Sequence, residues 1–182
     1  IYNDPSNVSN SITTVENLAK SIIYEILNNK NIMVNMVDIK TFDDYMYSHS
    51  VNVAVLSSVI GMAMHLDSTK IEKLTASALL HDIGKVFMPK DIVNKVEKLT
   101  KEEEKLYKSH PEKGYRYIKQ HYTVPVTTYV GILQHHERYD GYGYPDGKRG
   151  EEISKFGRVL CLCDAYDNLV SERPNKKAYL PS

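Results

Sequence analysis

The sequence predicts an all-α fold, a single-domain helical bundle, and three observations carry the prediction. Apolar residues recur at i, i+3, i+4 and i+7 through most of the 182 residues, the spacing that lays one stripe along a helix. Capping residues and prolines punctuate those stripes where helices would start and stop. No segment alternates apolar and polar residues in the two-residue period of a half-buried strand, and no internal repeat stands out. The length suits one domain with a substantial core and is too short for two of full size.

In chain order, residues 1–40 form a helical lead-in and residues 41–182 the main domain. Thr13 and Glu16 stand at capping-box spacing ahead of the stripe Val15, Leu18, Ile22, Ile23 and Ile26, and Asn28-Asn29 closes that helix. A longer helix runs from about Phe42 to Leu66 and carries His49 in its first third. Asp67 or Ser68 caps a third, which buries Ile71, Leu74, Ala78 and Leu79 and ends at Gly84. Pro89 lies in the connection that follows. Thr100 and Glu103 repeat the capping box for a charged helix through Lys108. His110-Pro111 opens the next helix, because proline is tolerated in a first turn. Pro125 starts another from Val126 to Glu137. The stretch Asp140 to Gly150 holds four glycines and a proline and reads as a loop. A last helix spans about Ser154 to Val170, and Pro174 punctuates the tail.

Composition narrows the function classes. Twenty-three basic residues balance 23 acidic ones, which argues against a sequence-independent binder of nucleic-acid polymers, since that needs a basic face. A small phosphorylated ligand needs only a local cluster and stays open. Cys161 and Cys163 sit one residue apart in an apolar run and cannot build a disulfide framework, so a reducing cytoplasm is the expected location. No apolar stretch approaches the length of a membrane span and no signal-peptide pattern is present. The chain begins at Ile1 and ends abruptly at Ser182, and reads as a piece of a longer protein, such as the cytoplasmic part of a larger sensor.

The chemistry lies in the histidines and aspartates. Taken singly, each of the seven histidines is more often a surface or satisfied core residue than a ligand; their arrangement makes the case. His81-Asp82 falls at the end of an apolar helix, where a buried aspartate is costly without a partner. His135-His136 falls at the end of another, and neighbours on a helix point about 100° apart, so the two can address different ions. Asp164 sits in the apolar run Val159-Leu160-Cys161-Leu162-Cys163-Asp164-Ala165. One metal centre explains these buried charges together, because imidazole and carboxylate suit divalent first-row metals and a single aspartate can bridge two. The pattern points to a metallophosphohydrolase. His65 and His121 fall in no motif.

The string His81-Asp82-Ile83-Gly84-Lys85 resembles the signature of the HD phosphohydrolase superfamily. The string from His135 to Pro145, continued by Asp146-Gly147, resembles that of its HD-GYP branch. The likeness extends from about Asp43 to Lys176 and includes Asp43 to Ser50, Ser109-His110-Pro111-Glu112, Asp164-Ala165-Tyr166-Asp167 and Arg173-Pro174. It implies an HD-type helical bundle with the metal site in its centre, acting as a phosphodiesterase for cyclic di-GMP. By resemblance, His49, His81, Asp82 and Asp164 hold one ion, and Asp82 bridges to a second held by His110, His135 and His136. Iron or manganese is the implied metal. Some members bind a third ion through a glutamate four residues before the first histidine; here that position is Tyr45, which implies a two-metal site. Lys85 becomes a phosphate clamp beside the bridging Asp82, sharing the helix face of His81 if the helix continues. Arg173 and Lys176 match phosphate- and guanine-contacting positions, although Asn175 stands where the family often has an aromatic. The loop with Gly143, Tyr144 and Pro145 would shape the rim of the site and contact a diguanylate cyclase domain as partner.

The expected reaction is hydrolysis of cyclic di-GMP to linear pGpG, with slower formation of GMP, in bacterial second-messenger signalling. Two other readings stay open: an HD hydrolase of another cyclic dinucleotide or nucleotide, and a catalytically weak module that senses nucleotide or docks a cyclase.

Overall fold

The computed structural model describes residues 8–28 and 45–171. All regular elements among them are helical. The first, α1 (Val8–Asn28), turns Val15, Ala19 and Ile22 inward at the i, i+4, i+7 spacing. It starts earlier than the capping box at Thr13 and Glu16 implied: both residues are exposed in mid-helix, so that spacing caps nothing here.

Helix α2 (Tyr45–Ala63) is apolar on nearly every side and runs through the centre, with Val53, Ala54 and Val55 buried. Residues 42–44 of the expected helix lie outside the described residues. Helix α3 (Ser68–Leu80) is capped by Asp67, whose carboxylate accepts from Lys70 N at 2.9 Å. It ends four residues before the expected Gly84. His81 is its C-cap, and a 3-10 helix follows over Ile83–Phe87. Lys85 is therefore on a tighter turn than the shared α-helical face with His81 required, and it meets Asp82 instead.

A short α4 (Lys90–Val93) follows Pro89, too short for helical periodicity to mark. Helix α5 (Lys101–Tyr107) carries the expected capping box between Thr100 and Glu103. Helix α6 (His110–His121) has Pro111 in its first turn, and α7 (Val126–Gln134) starts after Pro125. The latter stops before Glu137, leaving His135 as C-cap. The loop from Asp140 includes a 3-10 turn at Gly150–Glu152, and α8 (Lys155–Val170) opens on Ser154, whose hydroxyl accepts from Gly157 N at 3.0 Å.

Helix α2 packs on α3 and α8; α7 packs on α3, α6 and α8; and α1 covers α3 and α2. The shared core includes Leu74, Ala78, Ile118, Ile132, Phe156 and Leu160. Polar groups inside it are paired across helices: Ser58 Oγ meets Thr75 Oγ1 at 2.6 Å, and Ser77 donates to the Thr128 carbonyl at 2.8 Å. The 3-10 segment lies directly against the first turn of α6. A Cβ on Gly84 would run into the His110 carbonyl oxygen and stand 2.7 Å from Gly114 N, so only glycine allows that approach. The consequence is positional: the ends of α3 and α7, the start of α6, the first turns of α2 and the middle of α8 point at one volume. No described helix is long and apolar enough to cross a membrane.

Candidate metal centre

The structure brings His49, His81, Asp82, His110, His135, His136 and Asp164 together in that volume, from five separate elements. Two clusters form, Asp82 with His110, His135 and His136, and His49 with His81 and Asp164. All but His136 are buried, and His81, His110 and His135 are fully so.

Asp82 lies between the clusters and faces both. Its Oδ1 is 3.2 Å from His110 Nε2 and 3.7 Å from His135 Nε2. Its Oδ2 is 3.4 Å from His81 Nε2 and 3.8 Å from His49 Nε2. Asp164 Oδ1 lies 3.1 Å from His49 Nε2 and 3.9 Å from His81 Nε2, while its Oδ2 is 3.6 Å from His136 Nδ1.

Local folding sets the direction of each ring. His81 Nδ1 donates to the Ala78 carbonyl at 2.7 Å, His110 Nδ1 to Tyr107 at 2.8 Å and His135 Nδ1 to Ile132 at 2.6 Å. Each acceptor lies three residues back, so a histidine at a helix end folds onto its own last or preceding turn. A carbonyl can only accept, which puts the proton on Nδ1 and leaves the Nε2 lone pair aimed inward. Two Nε2 pairs, His49 with His81 and His110 with His135, approach to 3.2 Å each. At His110 and His135 both protons sit on Nδ1, so two lone pairs face each other, as a cation between them would explain.

His49 is held differently. Its Nδ1 lies 2.7 Å from Asp167 Oδ2, and the other oxygen of Asp167 accepts from Asn52 Nδ2 and Ser171 Oγ, both at 2.9 Å. Asp167 was not among the sequence-derived site residues. Its signal was the i+3 relation to Asp164 on an otherwise apolar helix. Carboxylates behind ligating histidines orient the ring and raise its basicity. Asp167→Asn is expected to weaken metal binding about 10- to 100-fold while the domain stays folded, read by chelator competition; unchanged affinity would remove Asp167 from the site.

The electrostatics demand positive charge. Burial opposes ionisation of Asp82 and Asp164, yet Lys85 and His81 around the first, and His49 around the second, hold both carboxyls below the usual range. Burial also opposes charge on His49, but Asp164 and Asp167 outweigh it and raise the imidazole to about 9. Burial pushes His135 down to about 4, and burial with the neighbouring His135 pushes His136 lower than its ordinary value, so both stay neutral. Three buried carboxyl groups, of Asp82, Asp164 and Asp167, thus face two cationic side chains, His49 and the Lys85 ammonium 2.5 Å from Asp82 Oδ2. Asp82 Oδ1 and His136 Nε2 are buried without a hydrogen-bond partner. Unpartnered ligand atoms of this kind beside aimed lone pairs fit divalent cations.

The glycine-rich loop is folded onto the centre. Tyr144 stacks on the His136 ring, with centroids 4.6 Å apart and planes at 30°, and its backbone N donates to the His136 carbonyl at 3.0 Å. At Gly143 a Cβ would stand 2.5 Å from the His136 oxygen and 2.6 Å from Glu137 Cα, which excludes any side chain. The Tyr144-Pro145 peptide is cis. Glu137, fully buried, accepts from Asp146 N at 2.7 Å and Lys148 N at 2.9 Å and so ties the loop down. Sequence reasoning missed this residue, because a carboxylate in a loop has no periodicity to betray its burial. Arg173 and Lys176 lie outside the described residues, as does the side chain of Tyr45.

Fold and site together define an all-helical metal-binding protein with its donors at the meeting point of helix ends. The HD domain model matches residues 22–182. A cyclic di-GMP phosphodiesterase of Pseudomonas aeruginosa is 38% identical over 162 residues, covering 89% of this chain and 39% of that protein. A 3'3'-cGAMP-specific phosphodiesterase of Vibrio cholerae is 31% identical over 152 residues, covering 84% of this chain and 35% of that protein. Among solved structures, Bd1817, an HDG"Y"P protein from Bdellovibrio bacteriovorus, matches with a TM-score of 0.80 and 25% identity, over 96% of this chain and 57% of that one. The chain belongs to the HD domain family, and the string from His135 to Pro145 places it in the HD-GYP branch. It spans well under half the length of the two curated relatives.

Proposed function

We propose that the chain is a metal-dependent phosphodiesterase that opens cyclic di-GMP to linear pGpG and carries it more slowly to GMP, in the cytoplasm. The observation that carries the reading is Asp82, one carboxylate with an oxygen turned to each of two histidine clusters. His49, His81, Asp82 and Asp164 would hold one cation, and Asp82, His110, His135 and His136 the other, with iron or manganese suited to the mixed imidazole-carboxylate set. Bound there, such cations would lower the pKa of a water and neutralise charge developing on phosphorus.

The chain's own residues do the rest. The Nδ1 contacts to main-chain carbonyls, and to Asp167, keep the imidazoles from rotating when substrate arrives. Tyr144, stacked over His136, screens that side of the pocket from water. Lys85 supplies a fixed ammonium for a phosphoryl oxygen, and Arg173 and Lys176 add phosphate and guanine contacts. Tyr142, 87% exposed on the loop rim, offers a contact for a diguanylate cyclase domain. Lys85→Met is expected to lower kcat about 10²- to 10³-fold with the metal content kept, measured by steady-state turnover beside elemental analysis. A variant with wild-type kcat would show that Lys85 plays no part in the chemistry.

The deciding experiment is anaerobic turnover of cyclic di-GMP with iron and manganese supplied separately. No hydrolysis with either metal, at full metal occupancy, would overturn the assignment. The likeness to a 3'3'-cGAMP-specific enzyme favours, as second reading, another cyclic dinucleotide as substrate, and a panel of cyclic dinucleotides separates the two.

A further inference from the structure

Asp164 is held from its own helix. One turn further along α8, Asn168 donates from Nδ2 to Asp164 Oδ1 at 2.8 Å. Residues four apart lie one above the other on a helix, the spacing at which an amide reaches a carboxylate. Oδ1 is the oxygen that faces the first cluster, 3.1 Å from His49 Nε2 and 3.9 Å from His81 Nε2. With the amide on that oxygen, Oδ2 is turned the other way, 3.6 Å from His136 Nδ1 of the second cluster. One hydrogen bond thus bears on which oxygen each cluster meets.

The bond also outlasts the other contact on Oδ1. His49 Nδ1 is taken up by Asp167, so Nε2 is the nitrogen that His49 can offer to a cation. A ring nitrogen that binds a cation has no proton to donate. The His49 contact therefore cannot hold the carboxylate once a cation is present. The amide of Asn168 does not compete in this way, because it occupies one lone pair of Oδ1 and leaves the other. Asparagine is, besides, a weaker helix former than leucine or glutamine. Its place in α8 costs the helix some intrinsic stability, while its amide nitrogen serves Asp164.

We propose that Asn168 is a positioning residue of the metal centre: its side-chain amide holds Asp164 with Oδ1 presented to His49 and His81, so that the carboxylate meets the first cation through that oxygen. This rests on the two-cation reading above and adds to it a residue that ligates nothing itself.

The probe is manganese alone, titrated into metal-free protein in competition with a chelator. Asn168→Leu removes the donor, whereas Asn168→Gln keeps an amide at the same spacing, and the two replacements have similar helix propensity. In Asn168→Leu the affinity for one of two manganese equivalents falls about tenfold, the lower end of the effect of partners behind ligating groups. The other equivalent moves less. Asn168→Gln regains most of the loss, and in an Asp164→Ala background Asn168→Leu changes nothing further. Melting of the same metal-free samples guards against a merely structural effect: a lower Tm with wild-type manganese affinity overturns the proposal. So does wild-type affinity in Asn168→Leu at any Tm, Asn168→Gln that binds no better than Asn168→Leu, or a loss that persists without the Asp164 carboxylate. Wild-type protein that binds no manganese overturns both this role and the two-cation reading. Affinity is measured without substrate, so the manganese effect in a protein that hydrolyses no cyclic di-GMP removes the substrate assignment and leaves the role of Asn168 standing.

Discussion

Asp82→Ala is expected to strip the metal and lower turnover by about a thousandfold or more, ~4 kcal/mol in the barrier. The reason is the double exposure of this one side chain. Oδ1 faces His110 and His135, and Oδ2 faces His81 and His49, so its loss takes a ligand from both clusters at once. The same change leaves the Lys85 ammonium without its carboxylate partner in a largely buried setting. Breaking one side of a buried ion pair costs about 3–5 kcal/mol, so the variant should also melt well below wild type. Asp82→Asn separates the effects: it keeps the shape and a hydrogen-bonding oxygen for Lys85 while removing the charge, so it should recover stability more than activity. Elemental analysis, a thermal melt and turnover on the three proteins read the result. Full metal content and wild-type rate in Asp82→Ala would mean that this side chain holds no metal.

The sequence disclosed more of this site than of the helices around it. Helical periodicity located α3, α7 and α8, but could not tell where an α-helix gives way to another turn. Lys85 shows why. The chain beyond His81 must pass hard against the His110 carbonyl, and it does so in a 3-10 turn that brings Lys85 onto Asp82 three residues back. No local preference encodes that; it comes from contact with α6, which is remote in sequence. Thr13 and Glu16 fail for the opposite reason: a cap signal is local, while α1 is already under way from Val8. The seven site residues could be named because motif strings preserve their identity, whereas Asp167 and Glu137 act through partners 118, and 9 and 11, residues away (167−49; 146−137 and 148−137). Spacing says nothing about partners of that kind.

Gly84→Ala tests the close approach on which that geometry depends, and its expected effect is second only to that of Asp82→Ala. The added Cβ would meet the His110 carbonyl oxygen and Gly114 N, both backbone atoms that no rotamer change can move aside. Either the 3-10 segment withdraws from α6 or α6 shifts bodily. Overpacking of this kind costs about 3 kcal/mol, which lowers Tm by roughly 6–12 °C in a domain of this size. The functional loss should exceed the stability loss, because the segment carries Lys85 on one flank and α6 carries His110 on the other. A shift between them opens the distance from Asp82 Oδ1 to His110 Nε2, 3.2 Å in this structure. On the proposed two-cation reading, a cation at Asp82, His110, His135 and His136 should therefore be lost at lower chelator concentration than one at His49, His81 and Asp164. Melting and chelator titration of the same sample check both halves. A Gly84→Ala protein that melts with wild type and releases its metals at the same chelator concentration would mean that the 3-10 segment does not press on α6, and the account of how Lys85 reaches Asp82 would fall with it.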